Sequence, residues 1–181
     1  MPSAITVREV EKDDIQYIVG YWNNSTTEDL LAMGIDVNNI GPLKNLADRL
    51  EQQLELSYEE KSVFVLVAMM DGKLVGHCYV NNLIFGKEAF MHLHIWQTTT
   101  HKKGMGSEMV RQSILHFFEK LKLQTLFCEP SAKNPGPNKT LERIGFKFIK
   151  KHLTIPAGWT FQLEVNRWEM NLKDFKNKFV S

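Results

Sequence analysis

Residues 91–110, MHLHIWQTTTHKKGMGSEMV, constrain this chain more than any other stretch. An extended segment runs into a basic, glycine-spaced turn, and the turn runs directly into a helical period. Along His92, Leu93, His94, Ile95 and Trp96 the residue types alternate. A strand here puts both histidines and Trp96 on one face and the aliphatic residues on the other. Gly104 and Gly106 permit backbone conformations that a Cβ resists, and they let a ligand come close to the main chain. From Ser107 to Phe118 the apolar spacing is helical. Such a strand–turn–helix aims unpartnered backbone N–H groups and the positive end of the helix dipole at one spot. That spot suits a phosphate or pyrophosphate, and Lys102 and Lys103 add charge beside it.

The rest of the sequence builds a mixed α/β arrangement around that unit. Residues 4–10 alternate as a first strand, and Asp13 or Asp14 begins a helix reaching about Trp22. Residues 23–41 are polar and glycine-punctuated, with apolar islands. Leu43, Leu46, Leu50 and Leu54 mark one face of a helix over 43–55. The apolar run 62–70, the Asp71-Gly72 turn and the return 73–83 predict a hairpin, and residues 89–97 add a third antiparallel strand. After the glycine turn, Val110, Ile114, Phe117, Phe118 and Leu121 line one helix face. A short strand (124–128), a loop (130–137) around Asn134 and a short helix (139–144) stopped by Gly145 follow. Strands over 146–150 and 160–171 complete the set, and the basic tail 172–181 is expected to be peripheral. Residues 1–181 are expected to form a single domain.

Composition excludes several classes of function. A net charge of +1 gives no global pull toward nucleic acid or a membrane surface, so any anion site is local and neither partner is expected. Cys78 and Cys128 cannot make a disulfide framework, and no Cys/His metal spacing accompanies them. No metal is therefore expected. The N-terminus carries no basic-then-apolar signal pattern and no apolar run approaches a membrane span, which makes the cytoplasm the expected location.

Two motifs give the turn a more specific reading. His101-Lys-Lys-Gly104-Met-Gly106 resembles the Q/R-x-x-G-x-G turn of GNAT-family acyl-CoA N-acyltransferases, with His101 where Gln or Arg is usual. Downstream, Glu129-Pro130-Ser-Ala-Lys-Asn134 and then Leu141-Glu142-Arg143-Ile144-Gly145-Phe146 are similar to that family's second conserved region, at matching separation. Within the family the chain is similar to the aminoglycoside 6′-N-acetyltransferase and siderophore acyltransferase branch, and also to ribosomal-protein N-terminal acetyltransferases. His92, nine positions before His101, stands where siderophore enzymes carry His and aminoglycoside enzymes Asp. Ser131 replaces an acidic residue frequent in siderophore enzymes.

The resemblance implies a mostly antiparallel, splayed sheet flanked by helices. Acetyl-CoA would lie between the strands on either side of the glycine-turn helix, as co-substrate with an amine acceptor. Backbone groups of His101, Lys102, Lys103, Gly104, Met105, Gly106 and Ser107 would hold the pyrophosphate. The strand edge at Trp96, Gln97 and Thr98 would pair with the pantetheine amides, and Asn134 would hydrogen-bond the same arm. The family's frequent tyrosine acid corresponds to Leu141, which leaves the proton donor to the leaving thiolate unassigned. The expected assembly is a monomer or a homodimer.

Amide formation needs a neutral amine, removal of its proton and stabilisation of an oxyanion. His92 is the preferred base or substrate orienter, with His94 second, because imidazole titrates near neutral pH. A backbone N–H on the same strand can stabilise the oxyanion. The competing reading makes both histidines ordinary core residues with satisfied hydrogen bonds. Trp22, Trp159 and Trp168 read as packing residues, and Cys128 as a buried small hydrophobe. The acceptor is expected between the 23–41 segment and the 153–168 region, since loops carry specificity. A dinucleotide-binding domain fits poorly, because an antiparallel hairpin precedes the turn. A non-catalytic acyl-CoA-binding module remains an alternative to the enzyme.

Overall fold

The computed structural model describes residues 5–96 and 104–180. Its strands are β1 (Ile5–Glu9), β2 (Phe64–Met70), β3 (Lys73–Ile84), β4 (Glu88–Ile95), β5 (Thr125–Cys128), β6 (Lys147–Thr154) and β7 (Leu163–Asn171). Its helices are α1 (Ile15–Asn24), α2 (Thr27–Ala32), α3 (Leu43–Glu55), α4 (Met105–Leu121), α5 (Pro135–Ile144) and α6 (Leu172–Phe179). The strands form one seven-stranded sheet in the order β1-β2-β3-β4-β5-β7-β6. Every described neighbour pair is antiparallel except β4 with β5.

Local chemistry explains most of the boundaries. Asp71 and Gly72 both take positive φ (52° and 75°), which a two-residue hairpin turn demands, and they set Met70 opposite Lys73. The alternation along β4 sends Ala89, Met91 and Leu93 into the core beneath α4, where Ile114, Phe117 and Leu121 are fully buried. The other face of β2 places Val65 and Val67 against Ile15, Ile18 and Trp22 of α1 and Leu50 of α3. The sheet is therefore the middle of three layers, with α4 on one side and α1 and α3 on the other.

Three stretches differ from the sequence expectation. Residues 27–32 form α2, because Thr26 and Asp29 make a reciprocal capping box. Helix α5 starts at Pro135 rather than 139, because the Asn134 side chain caps it and proline suits the first helical position. The tail, expected to be peripheral, forms a helix that docks on the core. The Asn171 side chain accepts from the Asp174 N–H at 2.9 Å, and Phe175, only 3% exposed, stacks on Phe118 with centroids 4.4 Å apart. Phe175→Ala is expected to cost about 3–5 kcal/mol, the range for emptying a buried aromatic site, read as a lower urea midpoint at unchanged slope.

Candidate active site

The parallel pairing of β4 with β5 is short. It runs from Glu88 opposite Thr125 to Met91 opposite Cys128. Beyond those residues the two strands part. His92 to Ile95 stay on β3, with Tyr79 opposite His92 and His77 opposite His94. The chain after Cys128 turns to β7 instead: the Asn166 N–H donates to the Pro130 carbonyl (3.0 Å) and the Ala132 N–H to the Glu164 carbonyl (2.9 Å). A V-shaped opening results, with His92 on one limb and Glu129 on the other.

Helix α4 begins at the mouth of this V. Gly104 takes φ +96°, a backbone that favours glycine, and a Cβ built on it meets nothing within 4 Å. A Cβ on Gly106 would lie 3.1 Å from the Ile95 side chain, so the first turn of α4 packs tightly on β4. Met105 is buried and Ser107 half-buried. A seventeen-residue helix thus begins beside the open side of Gly104, and a helix N-terminus of this kind fits a pyrophosphate. Gln97, Thr98, His101, Lys102 and Lys103 lie outside the described residues. The Trp96 N–H donates to the Val75 carbonyl at 2.9 Å. Asn134 sits at the N-terminus of α5, its side-chain oxygen accepting from the Gly136 N–H at 3.2 Å.

His92, His94 and Trp96 do share a face, as the alternation predicts. The structure adds His77, Tyr79 and Asn81 from β3 to it. The His77 and His94 rings stack at 4.8 Å, and Tyr79 and His92 at 4.7 Å. The Trp96 indole N–H donates to His77 Nδ1 at 2.8 Å, which fixes that nitrogen as an acceptor. His92 Nε2 lies 3.0 Å from Asn81 Oδ1. With the amide oxygen accepting, Nε2 carries the hydrogen and Nδ1 keeps the lone pair. His94 Nδ1 is 3.4 Å from the Tyr21 hydroxyl, at the edge of hydrogen-bond range. Sequence reasoning missed His77, Tyr79, Asn81 and Tyr21. The signal for the β3 residues was present in the same two-residue alternation within the 73–83 strand.

Burial holds this histidine cluster neutral. It pushes His92 down to about 4, and His94 down to about 3 with His92 adding repulsion. His77 is pushed well below the ordinary histidine range, by burial first and by His94 second. The unfolded chain takes up protons near pH 6.5, whereas the folded chain resists until about pH 4 or lower. Stability is therefore complete above about pH 6.5 and declines as pH falls from there toward about 4. The urea midpoint is expected to drop across that window, and to drop less in a His77→Phe variant.

The 23–41 and 153–168 stretches, between which the acceptor is expected, are bonded to each other. Ile35 and Thr160 form a β-bridge. The Asp36 N–H donates to the Trp159 carbonyl at 2.7 Å, the Phe161 N–H to the Gly34 carbonyl at 2.9 Å, and the Asn39 amide to the Gly158 carbonyl at 2.9 Å. These bonds clasp the two segments together. Trp159 meets Trp22 edge-on at 5.5 Å, and Trp22 meets His94 at 4.9 Å. Trp22, backed by Trp159, thus packs on the His94 end of the histidine row. His92 lies at the other end, next to the point where β4 and β5 part, on the side of Phe90, Phe127 and Glu129. Glu129 Oε1 there accepts from Arg167 Nε at 2.6 Å and lies 3.2 Å from His152 Nε2.

Comparison with known proteins agrees with this architecture. Residues 4–147 match the model of the acetyltransferase (GNAT) domain. The chain belongs to the GNAT acetyltransferase family. Among solved structures it is similar to the spermidine N-acetyltransferase of Vibrio cholerae in complex with CoA and spermine, at TM-score 0.74, 15% identity and 98% coverage of both chains. It is also similar to RimL, a ribosomal alpha-N-protein acetyltransferase in complex with coenzyme A, at TM-score 0.73, 10% identity, and coverage of 96% of this chain and 97% of that one. A third similar structure is the aminoglycoside acetyltransferase AAC(6')-Ib in complex with coenzyme A, at TM-score 0.70, 14% identity, and coverage of 98% and 100%. At such identities the likeness is one of fold. No curated protein matches the chain. Among the described residues no helix is long and apolar enough to cross a membrane.

Proposed function

We propose that this chain is an N-acetyltransferase that moves an acetyl group from acetyl-CoA to a primary amine by direct attack in a ternary complex. The observation that carries the reading is the V between β4 and β5, with the N-terminus of α4 and the open side of Gly104 at its mouth. The main chain from His101 to Ser107 would hold the pyrophosphate, aided by Lys102 and Lys103. The edge at Trp96, Gln97 and Thr98 would align the pantetheine arm, and Asn134 would face it from the other limb. Acetyl-CoA supplies the activated acyl group as a thioester.

His92 is the base in this reading, with Nδ1 as its accepting atom because Asn81 holds Nε2. A low pKa makes it a weak base, so the acceptor must arrive as the neutral amine. His92 takes the proton only as the forming N–C bond makes that nitrogen acidic. His94 lies next along the row and would orient the acceptor. Direct attack is favoured over a cysteine acyl-enzyme because burial pushes both Cys78 and Cys128 up to about 12, which keeps each a thiol.

One observation favours the second reading, a non-catalytic acyl-CoA-binding module. Leu141, at the position of the family's tyrosine acid, is 3% exposed and packed in the core, so no proton donor stands there. A screen of amine acceptors with acetyl-CoA, thiol detection and mass spectrometry of the products separates the two. An enzyme releases CoA and yields an acetylated amine; a binding module releases none above background.

A further inference from the structure

We propose that Asn138 is a positioning residue that sets the second limb of the V, and through it the place of Asn134. The inference rests on the cofactor reading above. Asn138 lies one helical turn into α5, beyond the motif that suggests the site. Its Nδ2 donates to the Ser131 carbonyl at 3.0 Å and to the Asn134 carbonyl at 2.7 Å. Its Oδ1 accepts from the Trp168 indole at 2.8 Å and from Asn166 Nδ2 at 2.9 Å. One short side chain thus ties both ends of the 131–134 loop to the adjacent strand β7.

The chemistry fixes the orientation of this amide. The indole nitrogen only donates, and the two carbonyls only accept, so Oδ1 must face Trp168 and Nδ2 must face the loop. All four bonding directions of the amide are used. Trp168 is 8% exposed, which makes the β7 end of the tether a buried anchor. At the loop end Lys133 and Asn134 are exposed, and the other bonds are local or sit at its start: the Ala132 N–H to Glu164, the Asn134 N–H to Ser131 at 3.1 Å, the Lys133 N–H to Ser131 Oγ at 3.3 Å, the Gly136 N–H to Asn134 Oδ1 and the Ser131–Val165 bridge. Without the Nδ2 donors, the carbonyls of Ser131 and Asn134 lose the group that draws them together, and Asn134 loses its fixed bearing on the V.

Asn138→Asp isolates this function. The carboxylate still accepts from Trp168 and Asn166 but repels both loop carbonyls. Asn138→Ala removes all four bonds while suiting a helix interior. Asn166→Ala breaks only the bond at the anchor. CoA binding is measured by calorimetry, backbone amide exchange by mass spectrometry over 131–136, and folding by the melting temperature. Both Asn138 variants, once folded, are expected to exchange that segment at least about tenfold faster. They are also expected to bind CoA about tenfold more weakly (~1.4 kcal/mol) and to raise KM for acetyl-CoA, while kcat at saturation stays within about twofold. Asn166→Ala should leave CoA affinity unchanged. Wild-type exchange and CoA affinity in a folded Asn138 variant overturn the proposal, as does an equal loss of affinity in Asn166→Ala. If the wild-type chain itself fails to bind CoA, the cofactor reading falls, and the exchange rates alone judge the tether.

Discussion

Gly106→Val is expected to weaken CoA binding by at least about 100-fold, near 2.7 kcal/mol, in an equilibrium titration. The cause is steric and lies in the packing of α4 on β4. A Cβ alone at position 106 comes to 3.1 Å from Ile95 Cδ1, closer than ordinary contact, and the two further methyl groups of valine enlarge the conflict. Ile95 is half-buried and packs with Met105 and Met109, so neither partner retreats freely. The first turn of α4 must tilt, and its N–H groups then no longer converge in front of Gly104. Gly104→Val acts by another route. It places a β-branched residue at φ +96°, a cost of order 1–3 kcal/mol, and fills the open space the pyrophosphate would occupy. Both variants should therefore lower the melting temperature and the CoA affinity together, the first by turning the helix end and the second by filling the space beside it. A Gly106→Val chain that binds CoA as the wild type does would remove this turn from the cofactor site.

His92→Ala is expected to lower kcat by about 100-fold, the lower end for loss of a positioned base, with acetyl-CoA affinity within about twofold. The lower end follows from the low pKa, since a base whose conjugate acid has a pKa of about 4 is a weak proton acceptor. The same property shapes the pH profile. His92 stays neutral above about pH 5, so the rise of kcat/KM with pH should track the acceptor amine rather than an imidazole. His92→Gln distinguishes a base from an orienter: glutamine can hydrogen-bond an amine yet cannot take its proton. Recovery of turnover by glutamine would assign His92 to orientation, and unchanged turnover in His92→Ala would take it out of the reaction.

The sequence made the sheet's N-terminal half legible because each signal there is local. The Asp71-Gly72 turn, the two-residue alternation of β4 and the leucine spacing of α3 each report on their own neighbours. The GNAT pattern was legible because Gly104, Gly106, Asn134 and Gly145 mark backbone positions with special demands. Gly145 does take φ +109° at the end of α5, and Asn134 does cap its start. What escaped depends on contacts across distance. Pairing of β3 with β4 brings His77 to His94, but one strand's alternation says nothing about the residue opposite. The basic tail looked peripheral because charge dominates it, yet three apolar residues, Leu172, Phe175 and Phe179, suffice to dock it on the core. The clasp between residues 34–39 and 157–161 is made largely by main-chain groups, which side-chain patterns do not announce.

The brief parallel seam between β4 and β5 also has a consequence for how the chain orders itself. The β3–β4 hairpin beside it closes a short loop, whereas the seam must bring Glu88 to Thr125 across a long crossover that includes all of α4. Loop-closure entropy rises with that length, and only four register pairs oppose it. The line where the candidate cofactor cleft opens is thus held by few main-chain pairs, as is the β5–β7 join beside it. A molecule touching both limbs would cross-link the strands on either side of that line, and its binding free energy would add to the stability of the folded sheet.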